Sequence, residues 1–246
     1  MKSRIPLIVL ALSSLLLLLA LNAGAQPPPK KPPTAECTVS IDKIADCPDA
    51  GCGDEGDVDL NKAKNRIDIP AAADVKKKTL AFIRTLPQPA HWDTGADRTP
   101  LRKPGREGTP VEVQGFLKLA KPGGGESCNC GLTRRVDTDV HMVLVDEFDD
   151  DEQTSVTAEI SPRIRANGHD NWLYKNVKEL EGEYIRVTGW LMLDTKHIHQ
   201  THRLPNERPN KTLKRSTNWE VHPITKLEVC QKSVTACKAN QGWEDF

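Results

Sequence analysis

The chain is poor in aromatic residues, at 4% of the total, and has no surplus of either charge: 34 Lys and Arg face 34 Asp and Glu. Attraction to nucleic acid through net positive charge is thereby excluded, because phosphate neutralisation is the main source of such affinity. Familiar catalytic signatures are missing too: there is no G-x-S-x-G elbow, no H-E-x-x-H and no P-loop. "KPGGGES", Lys121 to Ser127, is glycine-rich but lacks the following Lys-Ser/Thr, and it runs into cysteines instead of a helix. The cysteines lack zinc-ribbon C-x-x-C spacing, which counts against a thiolate site from Cys47, Cys52, Cys128 and Cys130.

Long apolar runs are absent except for Ile5 to Leu21. Lys2 and Arg4 precede that run, Pro6 interrupts it, and Ala23-Gly24-Ala25 follows with small-x-small spacing. It is shorter than the ~20 apolar residues of a spanning helix. Residues 1–25 therefore read as a signal peptide cleaved after Ala25. No cysteine follows the small residues, so lipid anchoring is not expected. The expectation is a secreted or periplasmic protein, soluble after cleavage, of about 220 residues, enough for one core and an extension. In an oxidising compartment Cys37, Cys47, Cys52, Cys128, Cys130, Cys230 and Cys237 read first as disulfides. Cys230 and Cys237 enclose a short loop and are expected to pair. The other five cannot be connected from sequence, and the odd count leaves one thiol over.

What is present falls into two parts. Residues 26–36, "QPPPKKPPTAE", form a proline-rich linker, and residues 37–108 a cysteine-bearing extension of loops and helices. There "LNKAKNRIDIP" and "AAADVKKKTLAFIRTLP" predict two helical pieces, the second ended by Pro87 and burying Leu80, Phe82, Ile83 and Leu86. From Thr109 the pattern changes to alternation. "VEVQGFLKLA" turns Val111, Val113, Leu117 and Leu119 inward; "VHMVLVDE" and "SVTAEISPR" are further strands. "DNWLYKNVKELEG" predicts a helix capped at Asp170 or Asn171, followed by the strands "YIRVTGWLMLD" and "NWEVHPITKLEV". Three strands, a helix and two strands is the order of an OB barrel. The predicted fold is mainly β: a five-stranded OB-like barrel over residues 109–230, with one helix between strands three and four, and a tail over 231–246. Gly115 and Gly189 fall mid-strand, where a small barrel bends sharply.

"ESCNCG", "DTDVHMVL", "AEISPR", "IRVTGWLMLD" and "NWEVHPITKLEV", preceded by the "LN–K–KNR" signature in Leu60–Pro70, resemble a group of uncharacterised secreted bacterial proteins. The resemblance implies an OB-like domain and an exported location, and no reaction.

An OB barrel places strand three between strands two and five, so outward side chains on those strands become lateral neighbours. Asp139 and His141 on strand two, Glu159 on strand three, and Glu220 and His222 on strand five are expected to form a polar row, with Arg163 pairing a carboxylate. With Trp190, outward on strand four, they make the candidate binding face; Trp219 is assigned to the core. No catalytic residue is assigned. The leading expectation is an exported, non-enzymatic binding module for a small molecule, a glycan or a protein partner, with no cofactor. The alternatives are a metal-dependent hydrolase or phosphodiesterase using His141, Glu159 and His222, and a disulfide-tied envelope scaffold. A divalent metal would draw its ligands from His141, His222, Asp194 and His197, the last two lying in the histidine-rich "DTKHIHQTH".

Overall fold

The computed structural model describes residues 37, 40–53, 56–201 and 214–246. The predicted leader, the whole linker over residues 26–36 and His202 lie outside the described residues. Among the described residues seven strands form one sheet: β1 (Lys76–Lys77), β2 (Pro110–Pro122), β3 (Val140–Val145), β4 (Val156–Ile160), β5 (Tyr184–Leu193), β6 (Trp219–Cys230) and β7 (Trp243–Asp245). β2 pairs with both β3 and β5, so β2-β3-β4-β6-β5 closes into a five-stranded barrel in which only β4 and β6 run parallel. This is the OB-like barrel expected from the strand pattern.

The long first barrel strand belongs to two walls. β2 pairs with β5 from Pro110 to Phe116 and with β3 from Phe116 to Pro122. It bends at Gly115, where a Cβ would stand 2.8 Å from the Val145 carbonyl oxygen. Gly189 serves β5 in the same way: its Cβ would lie 2.4 Å from the Pro223 carbonyl oxygen, where the pairing with β6 shifts register. A side chain at either position would push two walls apart.

Apolar residues alternate into the barrel as predicted, apart from Leu119. A register shift between Leu117 and Leu119 changes the parity, so Ala120 is buried and Leu119 is not. Leu80 and Ile83, both fully buried, reach this core from outside the barrel, and Phe82 and Leu86 pack against it. They belong to α2 (Leu80–Arg84), which starts only where the Thr79 hydroxyl accepts the Phe82 N–H. The residues before it are not helical as expected, since Lys76 and Lys77 pair alongside β2 as β1.

The connection between β4 and β5 holds two short helices, α3 (Pro162–Ala166) and α4 (Tyr174–Lys178). Ser161 caps α3, with Pro162 at its start. α4 begins at Tyr174 after Leu173, so neither Asp170 nor Asn171 is its cap. Beyond β6 the tail is structured: α5 (Val234–Lys238) is capped by Ser233, and β7 returns to pair with β6.

Disulfides join Cys37 to Cys52, Cys47 to Cys130 and Cys230 to Cys237, the last as expected. Cys128 is the leftover thiol and is buried. Cys47–Cys130 closes 83 residues of sequence and fastens the extension to the loop between β2 and β3. α1 (Val58–Lys64), capped by Asp57, is held on that loop. Asn61 and Asn65 of the "LN–K–KNR" signature are buried; their amides donate to the Ala50, Asp49 and Cys128 carbonyls.

Candidate functional site

β3 sets His141 opposite Glu159 on β4, and the parallel pairing of Thr157 with Glu220 carries Glu159 to the level of His222 on β6. The polar row therefore forms. His222 Nδ1 lies 2.9 Å from Glu159 Oε2 and 3.4 Å from Glu220 Oε1, and His141 Nε2 lies 3.7 Å from Glu159 Oε1. Glu159, Glu220, His222 and Asp139 are buried, whereas 28% of the His141 side chain is exposed. Asp139 accepts a hydrogen bond from Asn129 Nδ2 at 3.1 Å.

Two participants were not anticipated. Lys64, at the end of α1, is only 2% exposed and sends Nζ to Glu126 Oε2 at 2.7 Å. Glu126 Oε1 lies 3.8 Å from His141 Nε2. Lys64 falls within the "LN–K–KNR" signature, but a lysine on a half-polar helix carries no local sign that it is buried. Nothing local in Glu126 marked it out, because its position depends on the disulfide-fastened loop.

The charges in this cluster support one another. Burial disfavours the Glu159 carboxylate, but His141, His222 and Lys64 overcome it and hold its pKa well below the ordinary value. Burial opposes a charged His222, yet Glu159 and Glu220 raise its pKa to about 10. Burial, with Glu126 and Glu159 nearby, pushes Asp139 up to about 6, against the pull of His222 and Lys64. Burial also works against Lys64, but the surrounding carboxylates, Glu126 first, keep its pKa well above normal.

Asp194 and His197 form an adjoining cluster. Asp194, at the end of β5, accepts the Lys196 N–H, lies 2.7 Å from His197 Nδ1 and takes an ion pair from Arg215. Arg215 also donates to Glu220 Oε2 at 2.7 Å, so the two clusters meet at Glu220. Burial would raise the Asp194 pKa, but Arg215 brings it well below the carboxylate range; His197 is raised through its bond to Asp194, against its own burial. His197 and His199 sit in a 3-10 segment, Thr195–Gln200, with rings 5.8 Å apart. The four metal ligands expected from sequence do not converge. Among the described residues, the groups whose donor atoms lie within 4.8 Å of one another are Glu126–Asp139–His141, Asp139–Glu159–His222 and Cys37–Cys52–Cys130. Asp194 is instead committed to Arg215.

Two further expectations are corrected. Arg163, on α3, leaves the row: it donates to the Cys47 carbonyl at 2.6 Å and pairs with Asp49 at 3.3 Å, bracing the extension. Trp190 is not an open stacking surface, because the Arg66 guanidinium lies 3.4 Å over its ring and the indole N–H donates to the Asp68 carbonyl. Trp219 is fully buried, as assigned.

Beside the row opens a cleft of about 420 Å³, lined chiefly by Glu126, His141, Glu159, His197, Lys214 and Arg215. No known family matches this chain, and no curated protein does. Among solved structures, it is similar to the asparaginyl-tRNA synthetase of Entamoeba histolytica, with and without asparaginyl-adenylate. Identity is 16%, over 55% of this chain and 24% of the synthetase, at a TM-score of 0.28. A protein described as an aspartyl-tRNA synthetase from Leishmania major Friedlin is similar at 11% identity, over 65% of this chain and 21% of its own, at a TM-score of 0.29. The chain thus spans less than a quarter of the length of each of these structures.

Proposed function

We propose that this is an exported protein whose OB-like barrel binds a small polar ligand in the cleft beside β3 and β4. The observation that carries this reading is the cleft itself. Its volume of about 420 Å³ falls within the ~300–1,000 Å³ of small-molecule sites. Charged residues predominate among those that line it, which favours a ligand held by charge and directed hydrogen bonds. The leader read in residues 1–25, the resemblance to secreted bacterial proteins and the three disulfides support export. The covered face of Trp190 speaks against stacked nucleic-acid bases. A thermal-shift panel of sugars, sugar phosphates and di- or tricarboxylates tests the proposal. One chemical class is expected to raise the melting temperature of the untagged protein, and His141→Ala to abolish the rise. A flat panel, with retention of one abundant envelope protein on the immobilised chain, would move the assignment to an envelope scaffold.

A second reading, a metal-dependent hydrolase acting on phosphodiesters, is favoured by one specific arrangement. Two imidazoles and three carboxylates meet next to an accessible cleft, as acid/base or metal chemistry requires. It predicts turnover of bis(p-nitrophenyl) phosphate with added Mn²⁺, lost in the His141→Ala, His222→Ala double variant. Absence of turnover in the wild type removes this reading and leaves the binding module intact.

A further inference from the structure

We propose that Glu126, Asp139 and His141 hold a divalent first-row transition-metal ion at the wall of the cleft. This deepens the metal-dependent reading above and replaces the donor set expected from sequence. The spacing argues for it first. His141 Nε2 is buried with no hydrogen-bond partner, and Glu126 Oε1 lies 3.8 Å from it. That separation is too long for a hydrogen bond. It does suit two donors sharing one ion, because metal–ligand bonds of ~2.0–2.2 Å set bound N and O atoms about 3–4 Å apart. An Asp139 oxygen completes the trio within 4.8 Å.

Second, Asp139 is only 2% exposed, and the close ion pairs of the cluster engage the other carboxylates, Glu126 with Lys64 and Glu159 with His222. The side-chain hydrogen bond of Asp139 comes from Asn129, the kind of outer contact that orients a metal-ligating carboxylate. Third, each donor is fixed independently. Lys64 takes the other Glu126 oxygen at 2.7 Å, leaving Oε1 toward His141; Asp139 sits just before the start of β3, and His141 is its second residue. Fourth, Glu126 and His141 line the cleft, which gives the ion access and leaves positions for water or a ligand.

The neighbouring group Asp139–Glu159–His222 is the weaker choice, because Glu159 and His222 are already paired at 2.9 Å and buried. One imidazole with two carboxylates suits Zn²⁺, Mn²⁺ or Fe²⁺; Ca²⁺ and Mg²⁺ take all-oxygen shells.

The test uses the untagged protein, stripped with chelator and titrated with Co²⁺ while its visible d–d absorption is followed. One equivalent is expected to bind in the wild type. Binding should be lost in His141→Gln and in Glu126→Gln, both at partly exposed positions, and kept in His197→Gln. Far-UV circular dichroism confirms that each variant is folded, and a variant that fails this is replaced by His141→Asn. The proposal is overturned if the wild type binds no Co²⁺ stoichiometrically, if folded His141 variants still bind it, or if His197→Gln loses it. Co²⁺ bound without phosphodiester turnover keeps this site and removes the hydrolase reading. Mn²⁺-dependent turnover that survives in Glu126→Gln, with no Co²⁺ bound at this trio, does the reverse.

Discussion

Lys64→Met is the most searching single perturbation. Lys64 keeps 3% of its side-chain exposure and Glu126 keeps 20%, so their ion pair at 2.7 Å is largely shielded from water. Removing one partner of such a pair leaves an uncompensated buried charge, at about 3–5 kcal/mol. The partial exposure of Glu126 places the expectation near the lower end, about 3 kcal/mol. In a domain of this size each kcal/mol moves the melting temperature by about 2–4 °C, so a fall of roughly 10 °C is expected. Guanidinium unfolding at pH 7 should be run on the wild type, Lys64→Met, Glu126→Gln and the double variant. The double variant should recover about 2 kcal/mol relative to additivity, because deleting both partners removes the desolvation problem along with the attraction. A Lys64→Met midpoint within about 0.5 kcal/mol of wild type would refute the buried pair. So would a cycle with no coupling.

Stability should also fall in acid through Asp194. Its folded pKa is depressed, so its contribution is complete above the unfolded value of ~3.9 and is lost as pH falls through the folded value. In an unfolding series from pH 6 to pH 2, Asp194→Asn should flatten this loss. Cys47→Ser with Cys130→Ser opens a loop spanning 83 residues and should cost about 4–5 kcal/mol by chain entropy, read from denaturant midpoints. Gly189→Ala sets a Cβ against the Pro223 carbonyl and should destabilise by about 2–3 kcal/mol in the same assay; a neutral result would show that β5 and β6 can separate there.

The barrel was legible because alternation in β2, β4 and β5 fixes which side chains point inward, and the strand order leaves few closures. The lateral neighbours His141, Glu159 and His222 followed from that order with a period of two. What could not be read depended on long-range closure. Glu126 and Lys64 meet across 62 positions, on a loop and a helix brought together around the Cys47–Cys130 bridge. Arg163 was expected to pair a carboxylate of the row but lies past the end of β4, where α3 carries it toward Asp49. Leu119 was misplaced by a bulge that leaves no mark in the alternation. In "DTKHIHQTH", Asp194 and His197 are held together with Arg215, which lies 21 positions beyond Asp194 and outside that stretch.

α1 has a consequence for the length of any ligand. Its Asn61 and Lys64 side borders one hollow together with Glu126 and His197. Its Asp59 and Lys62 side, with Arg66 just past its end, borders another beside Trp190 and Met192. The helix is thus a partition standing on the barrel wall, with Asn61, Lys64 and Asn65 as its footings. A linear polymer laid across all the strands would have to lift that partition and break the Lys64–Glu126 pair. Short molecules, or the single end of a longer one, are what the divided surface admits.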